Sequence, residues 1–367
     1  MGLTRERCRI NIIHVKTSQL PIVIASGFNG DPRIGFMDAH VELSASRSES
    51  SAALIASRDD DWMGRLRDAI QKEYGLTVTT IVVAPRGYYA ETWKFTSGAR
   101  DYFVKLDSTG HQQRLRASLP VIDHLWNHGI RFINHPIHTV NGHLYSEFSG
   151  GTLAIFDWIT GHNVETDAAK PAEYDMLAQV YALSLGDVTV PQLHFSRDLA
   201  DRFFAIWNGL ERGSDVDNML EAHRDVIELR ASRLSMLAEI CQGDQSGFVL
   251  THGDAGGNFM TDGDHCYIVD WDEVQLAPPE RDAWVTCTKP WARTIFDDAL
   301  QRHGINYVLQ PERIAYFCYH MLFFYLSEVL SGVNKSDPAV EIRDLLDGWT
   351  KGRMKWADAL EIGSNPS

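Results

Sequence analysis

The 367-residue sequence predicts an α+β fold of two unlike lobes, a small antiparallel sheet followed by a mainly helical body. Three observations carry that expectation. Between Thr77 and Ile159 apolar residues alternate or run in short stretches parted by Gly, Pro and Asp, the pattern of strands. Beyond Gly161 they recur at helical spacing over long segments. Within that helical half lies one exception, residues 249–272, VLTHGDAGGNFMTDGDHCYIVDWD, in which two short apolar arms enclose glycines and carboxylates.

The elements follow in order. Residues 1–60 include ELSASRSESSAALIASRDDD, rich in Ser, Ala and charge with weak periodicity, and read as an N-terminal extension that is poorly ordered. DWMGRLRDAIQKEYGL is an amphipathic helix with Asp61 as N-cap and Gly75 as stop. VTTIVVAPRG, AETWKF and DYFVKLD are antiparallel strands with turns between them. RLRASLPVIDHLWNHGI is helical up to Gly129, with a kink or boundary expected at Pro120. GHLYSEFSGGTLAIFDWITG adds two strands parted at Gly150 and Gly151, so residues 61–160 form the small lobe. Residues 161–367 form the helical lobe, with EYDMLAQVYALSLG, LADRFFAIWNGLERG, DVIELRASRLSMLAEI and PERIAYFCYHMLFFYLSEVL as its helices. Two such bodies joined by one strand leave a cleft between them.

Composition narrows the function. Hydrophobic residues at 44% and charged ones at 23% suit a soluble globular chain with ample core. A net charge of −15 argues against a general nucleic-acid binder, which needs a basic surface, and is compatible with a cationic small partner. Five scattered cysteines without a C-x-x-C pair suggest neither a zinc cluster nor a disulfide framework, so a reducing cytoplasm is expected. No apolar run approaches the ~18 residues of a membrane span. LPIVIASG, preceded by Lys16, makes a poor signal peptide. Oligomeric state is left open.

The chemistry concentrates in the exceptional hairpin. Asp254 follows a strand and is flanked by glycines that let the backbone approach a ligand. Asn258 lies four residues on, and Asp270 ends the next apolar arm. Two carboxylates and an amide oxygen converging from two arms suit a hard divalent cation, and equally a base accepting a hydroxyl proton. As isolated turn formers these residues would be ordinary; their combination at short range favours a site. Lys105, on the apolar strand of DYFVKLD, is costly to turn inward without an anionic partner. The segment Asp187 to Glu228 carries nine Asp and Glu against four Lys and Arg, a candidate cation-attracting wall. Trp207, Trp271, Trp284 and Trp291 are expected in the core, with stacking on a sugar as the alternative.

HGD, VDWDEVQLAPPERDAW and YFVKL resemble, in order from about Asp61 to Leu330, the aminoglycoside phosphotransferase family, and most closely its spectinomycin branch. The resemblance implies a protein-kinase-like two-lobed fold, residues 61–160 being the nucleotide-binding lobe. It implies that Asp254 orients or deprotonates a substrate hydroxyl, and that Asn258 and Asp270 hold Mg2+ on the phosphates of ATP. By the same resemblance Lys105 contacts those phosphates and the turn at Gly87 covers them. Asp157, Trp158 and Ile159 would form the hinge beside adenine. His252 is expected as scaffold, Asp272 as an auxiliary carboxylate, and Asp282 as a helix cap that braces the catalytic loop. Two departures stand out. The family places its Asn five residues after the Asp, against four here, and the helix after Lys105 has no Glu to hold it, leaving Gln112, Gln113 or Asp123. An aminoglycoside or aminocyclitol is the expected acceptor. Choline, homoserine, a macrolide, or nucleotide binding without catalysis are the alternatives.

Overall fold

Residues 58–84, 90–107, 112–332, 337–348 and 350–362 are described by the structure, a computed structural model. Nearly all of the N-terminal extension and the turn at Gly87 therefore lie outside the described residues. The first helix, α1 (Asp60–Tyr74), begins one turn's cap earlier than expected: Asp59, not Asp61, accepts the Trp62 N–H, at 2.8 Å. Asp60 and Asp61 fall in the first turn, where the helix dipole favours carboxylates. That start puts Trp62, Leu66, Ile70 and Tyr74 on one buried face, and Gly75 ends the helix in the left-handed conformation.

Five antiparallel strands follow, β1 (Thr80–Val83), β2 (Glu91–Ser97), β3 (Arg100–Asp107), β4 (Ser146–Phe148) and β5 (Gly151–Asp157), in the spatial order β1-β2-β3-β5-β4. The two-residue pleat sorts their side chains. Phe95, Val104, Leu106, Leu153 and Ile155 meet α1 in one apolar core. Lys105, between Val104 and Leu106 and paired across the sheet with Thr92 and Ala154, faces the other way.

That second face belongs to a larger core, which includes Ala154 and Phe156 with Leu115, Leu119, Ile122 and Leu125 of α2 (Gln112–Asn127). Pro120 is not a boundary, for α2 continues through it to Asn127. The four buried apolar residues anchor the helix on both sides of the proline, which is itself exposed, so the missing N–H costs one bond rather than the helix.

The helical lobe contains β6 (His162–Asn163), α3 (Lys170–Tyr181), α4 (Asp198–Asn208), α5 (Asp215–Ala222) and α6 (Arg224–Gln242). Then come the short strands β7 (Val249–Thr251), β8 (Phe259–Thr261), β9 (Cys266–Ile268) and β10 (Gln275–Ala277). The helices α7 (Glu280–Ala283), α8 (Pro290–Arg302), α9 (Pro311–Leu330), α10 (Pro338–Asp347) and α11 (Lys351–Asp358) close the lobe. Helix α9 is its axis, buried almost along its length and packed on α4 and α6. Together the sheet lobe and the helical lobe make the two-lobed α+β fold. Trp207, Trp271 and Trp284 are core residues, as expected, whereas Trp291 is only half-buried against the core. Cys241, Cys266, Cys287 and Cys318 are buried. Among the described residues no helix is long and apolar enough to cross a membrane.

Candidate active site

Two small antiparallel ladders place the carboxylates. Strand β7 pairs with β10, and β8 pairs with β9 in a register that sets Phe259 opposite Ile268. One step further toward the hairpin mouth the Val269 N–H donates to the Asn258 carbonyl at 3.1 Å. Asn258 therefore stands across from Val269, and Asp270 is the next residue along the same arm. Asp270 has φ 64°, one of two non-glycine residues with positive φ among those described. This left-handed backbone costs about a kcal/mol or more even for Asp, and strain of this kind concentrates at functional sites.

His252 ties the two carboxylate loops together. Its Nδ1 accepts the Asp254 N–H at 3.1 Å, so the ring proton sits on Nε2, which donates to the Val269 carbonyl at 2.9 Å. The ring is fully buried with its edge on Trp271, centroids 4.5 Å apart. Burial lowers its pKa and keeps it neutral. It positions loops and meets the scaffold expectation. Asp254 itself is exposed to the cleft, and the Asn258 amide donates to its carbonyl oxygen at 2.8 Å and its carboxylate at 3.2 Å. The four-residue spacing thus closes a tight loop in which Asn258 folds back on Asp254.

The loop is braced from below. The Asp282 carboxylate accepts from the N–H groups of His252 at 2.9 Å and Gly253 at 2.5 Å, and from the Tyr181 hydroxyl at 2.8 Å. Its helix-cap role is absent, for no side chain caps α7. Arg281 donates to Thr251 Oγ1 at 3.0 Å and to the Glu273 carbonyl at 2.8 Å, crossing beneath Gly253. Gly253 has φ 92°, and a Cβ there would run into the Arg281 guanidinium.

Lys105 reaches across the cleft to this hairpin. Its ammonium lies 2.7 Å from Asp270 and 2.5 Å from Asp272. Burial opposes its charge, but the two carboxylates outweigh burial and raise its pKa. Burial also penalises the Asp270 carboxylate, which Lys105 nevertheless holds below its ordinary range. Burial pushes the Asp272 carboxyl up to about 6, against the pull of Lys105 and with Asp270 adding repulsion. Of the partners expected from α2, the Gln112 side chain lies outside the described residues and Asp123 is turned elsewhere. Asp123 turns to His135 and His138, at 3.3 and 2.9 Å, and α2 instead pairs Arg114 with Glu273.

Lys105, Asp254, Asn258, Asp270 and Asp272 line one cleft of about 1640 Å3. Asp157, Trp158 and Ile159 lie along its edge. The Asp157 N–H donates to the His135 carbonyl at 3.1 Å and the Trp158 N–H to the Asp101 carbonyl at 3.3 Å. Ile159 N–H has no such partner among the described residues. The acidic segment 187–228 contributes Asp198 to the cleft but not its other acids. Asp217, for instance, is buried against Trp207, Gly213 and Arg212. Further acids on the lining, missed by sequence reasoning, come from α9 and α10, Glu328, Asp344 and Asp347, alongside Arg202, which pairs with Glu328 at 3.0 Å, and Arg343. Alternation of acids with apolar residues in AVEIRDLLD was the only signal for Asp344 and Asp347.

The model of the phosphotransferase enzyme family matches residues 80–317, well over half the chain. No curated protein matches. Among solved structures, spectinomycin phosphotransferase in complex with ADP and spectinomycin is 18% identical with a TM-score of 0.66, covering 80% of this chain and 98% of its own. Amicoumacin kinase in complex with AMP-PNP and Ca2+ is 13% identical, TM-score 0.54, covering 83% and 96%. Choline kinase from Streptococcus pneumoniae is 12% identical, TM-score 0.50, covering 80% and 100%. At these identities the likeness establishes the fold.

Proposed function

The chain belongs to the phosphotransferase enzyme family, and we propose that it transfers the γ-phosphoryl group of ATP to a hydroxyl of a small cationic molecule, an aminoglycoside or aminocyclitol antibiotic first of all. The observation that carries this reading is the meeting of Asp254, Asn258 and Asp270 at one hairpin mouth with Lys105 from the opposite lobe.

Asp254 accepts the proton of the substrate hydroxyl, and its place on a loop pinned by His252 and Asp282 fixes the line of attack. Lys105 leaves its carboxylate partners for the nucleotide phosphates. Ile159 N–H pairs with the adenine edge at the hinge. Asn258, Asp270 and Asp272 offer an all-oxygen, charge-rich donor set that fits a hard divalent cation. Bound there, Mg2+ would neutralise charge on the phosphates. Water exclusion falls to the two lobes.

The net charge of −15 supports a cationic acceptor, with Asp198, Asp344 and Asp347 as the carboxylates on the cleft lining that would receive it. Such an enzyme, working in the cytoplasm, would confer resistance. The test is ADP release with Mg-ATP across spectinomycin, other aminoglycosides, macrolides, choline and homoserine, with Asp254→Ala as control. Turnover of an aminocyclitol or aminoglycoside that vanishes in the variant supports the reading. Turnover of choline alone replaces the acceptor. Failure of nucleotide to bind in the presence of Mg2+ overturns it.

A further inference from the structure

We propose that Asp123, His135 and His138 form a binding site for a zinc-class divalent cation, separate from the catalytic cleft and behind the hinge. Each residue offers one ligand atom, and the three atoms lie within 4.8 Å of one another. Asp123 Oδ1 is 3.3 Å from His135 Nε2 and 2.9 Å from His138 Nε2. A tetrahedral cation with bonds of about 2.0–2.1 Å needs ligand atoms roughly 3.3 Å apart, so little movement is required. Two imidazoles and one carboxylate suit zinc, nickel or copper and disfavour magnesium or calcium, which take oxygen ligands.

The surroundings hold these three side chains as metal sites hold theirs. The other Asp123 oxygen accepts the Asn127 amide at 3.0 Å, which turns Oδ1 toward the imidazoles. The His135 ring stacks on Trp126 with centroids 4.6 Å apart and planes 29° apart. The backbone between the two histidines is pinned to β5: Pro136 bridges Phe156, and Ile137 N–H donates to the Ile155 carbonyl at 2.7 Å. His138 is 44% exposed, which leaves a path for entry and an open fourth position for water. A simple His–Asp pair would need one imidazole; here two converge on one oxygen. A cation bound here would tie the C-terminal end of α2 to the segment whose His135 carbonyl receives the Asp157 N–H.

The experiment is zinc titration of chelator-stripped, full-length protein against a fluorescent zinc indicator, with cobalt(II) absorption as a second readout. Wild type and Asp270→Asn are expected to bind one tight equivalent. His138→Ala, at an exposed position that tolerates the change, and Asp123→Asn are expected to bind at least tenfold more weakly and to lose the cobalt–imidazole band. The proposal is overturned when wild type takes up no tight zinc. It is overturned equally when His138→Ala and Asp123→Asn bind as wild type does, or when Asp270→Asn is the variant that loses the equivalent.

Discussion

Asp282→Ala tests whether the catalytic loop depends on its buried brace. Three donors converge on this carboxylate, from His252, Gly253 and Tyr181, and the residue is 7% exposed. Hydrogen bonds to a charged acceptor contribute about 1.5–3 kcal/mol each, so the three together represent roughly 4–9 kcal/mol before relaxation. Water entering the vacated space would re-satisfy part of that. The expected loss is about 3–5 kcal/mol, read as a fall in the urea midpoint followed by tryptophan fluorescence. Tyr181→Phe removes one of the donors and should cost about 1–2 kcal/mol. In the Asp282→Ala background the same change should cost almost nothing, because the hydroxyl has already lost its acceptor, giving a coupling of about 1–2 kcal/mol. In the folded fraction kcat should fall more than KM, since the loop carries Asp254. An Asp282→Ala loss under ~1 kcal/mol, or full additivity of the two changes, would refute the reasoning.

Other outcomes follow from the same geometry. Gly253→Ala should cost about 2–4 kcal/mol and most activity, as it combines a positive φ with a clash on Arg281, measured by urea unfolding and ADP release. Lys105→Ala should lower kcat/KM about 10²- to 10³-fold while nucleotide affinity also falls, because it removes a preorganised cation and leaves Asp270 and Asp272 facing each other; unchanged nucleotide affinity in a binding titration would count against its phosphate role. Glu280 is fully buried, and burial pushes its carboxyl up to about 7 although Gln310 N–H and the Tyr307 hydroxyl donate to it. Its pKa is higher folded than unfolded, so its stabilising contribution is present below about pH 4.5 and is lost as pH rises through about 7, by up to about 3 kcal/mol. Glu280→Gln should flatten that part of the stability profile between pH 5 and 8; an unchanged profile would show that other groups set it.

How much was legible beforehand depends on the range of the interaction. Strand and helix periods, the glycine-flanked Asp254, the apolar arm ending in Asp270 and the inward Lys105 are local patterns, and one stretch of chain with its pleat or helical repeat determines them. Helix ends were less legible: Asp59, Asp60 and Asp61 are equal candidates as caps until Trp62 and Leu66 must face a sheet. Pro120 reads as a break until buried leucines on both sides hold the helix together.

Partnership was decided by tertiary structure alone. The amide pattern at residues 254–258 does not say that Asn258 folds back on Asp254, nor does Lys105 name Asp270 and Asp272, 165 residues away in the nearer case, as its counter-ions. Tyr181 and Asp282 are 101 residues apart and meet because α3 and α7 pack in one core. Asp123 was a plausible partner for Lys105 by position, and the rotation of α2 against β5 sends it instead to two histidines. Local sequence sets which side chains a segment can offer and on which face. The packing of two apolar cores, a sum over many long-range contacts, sets which offers meet.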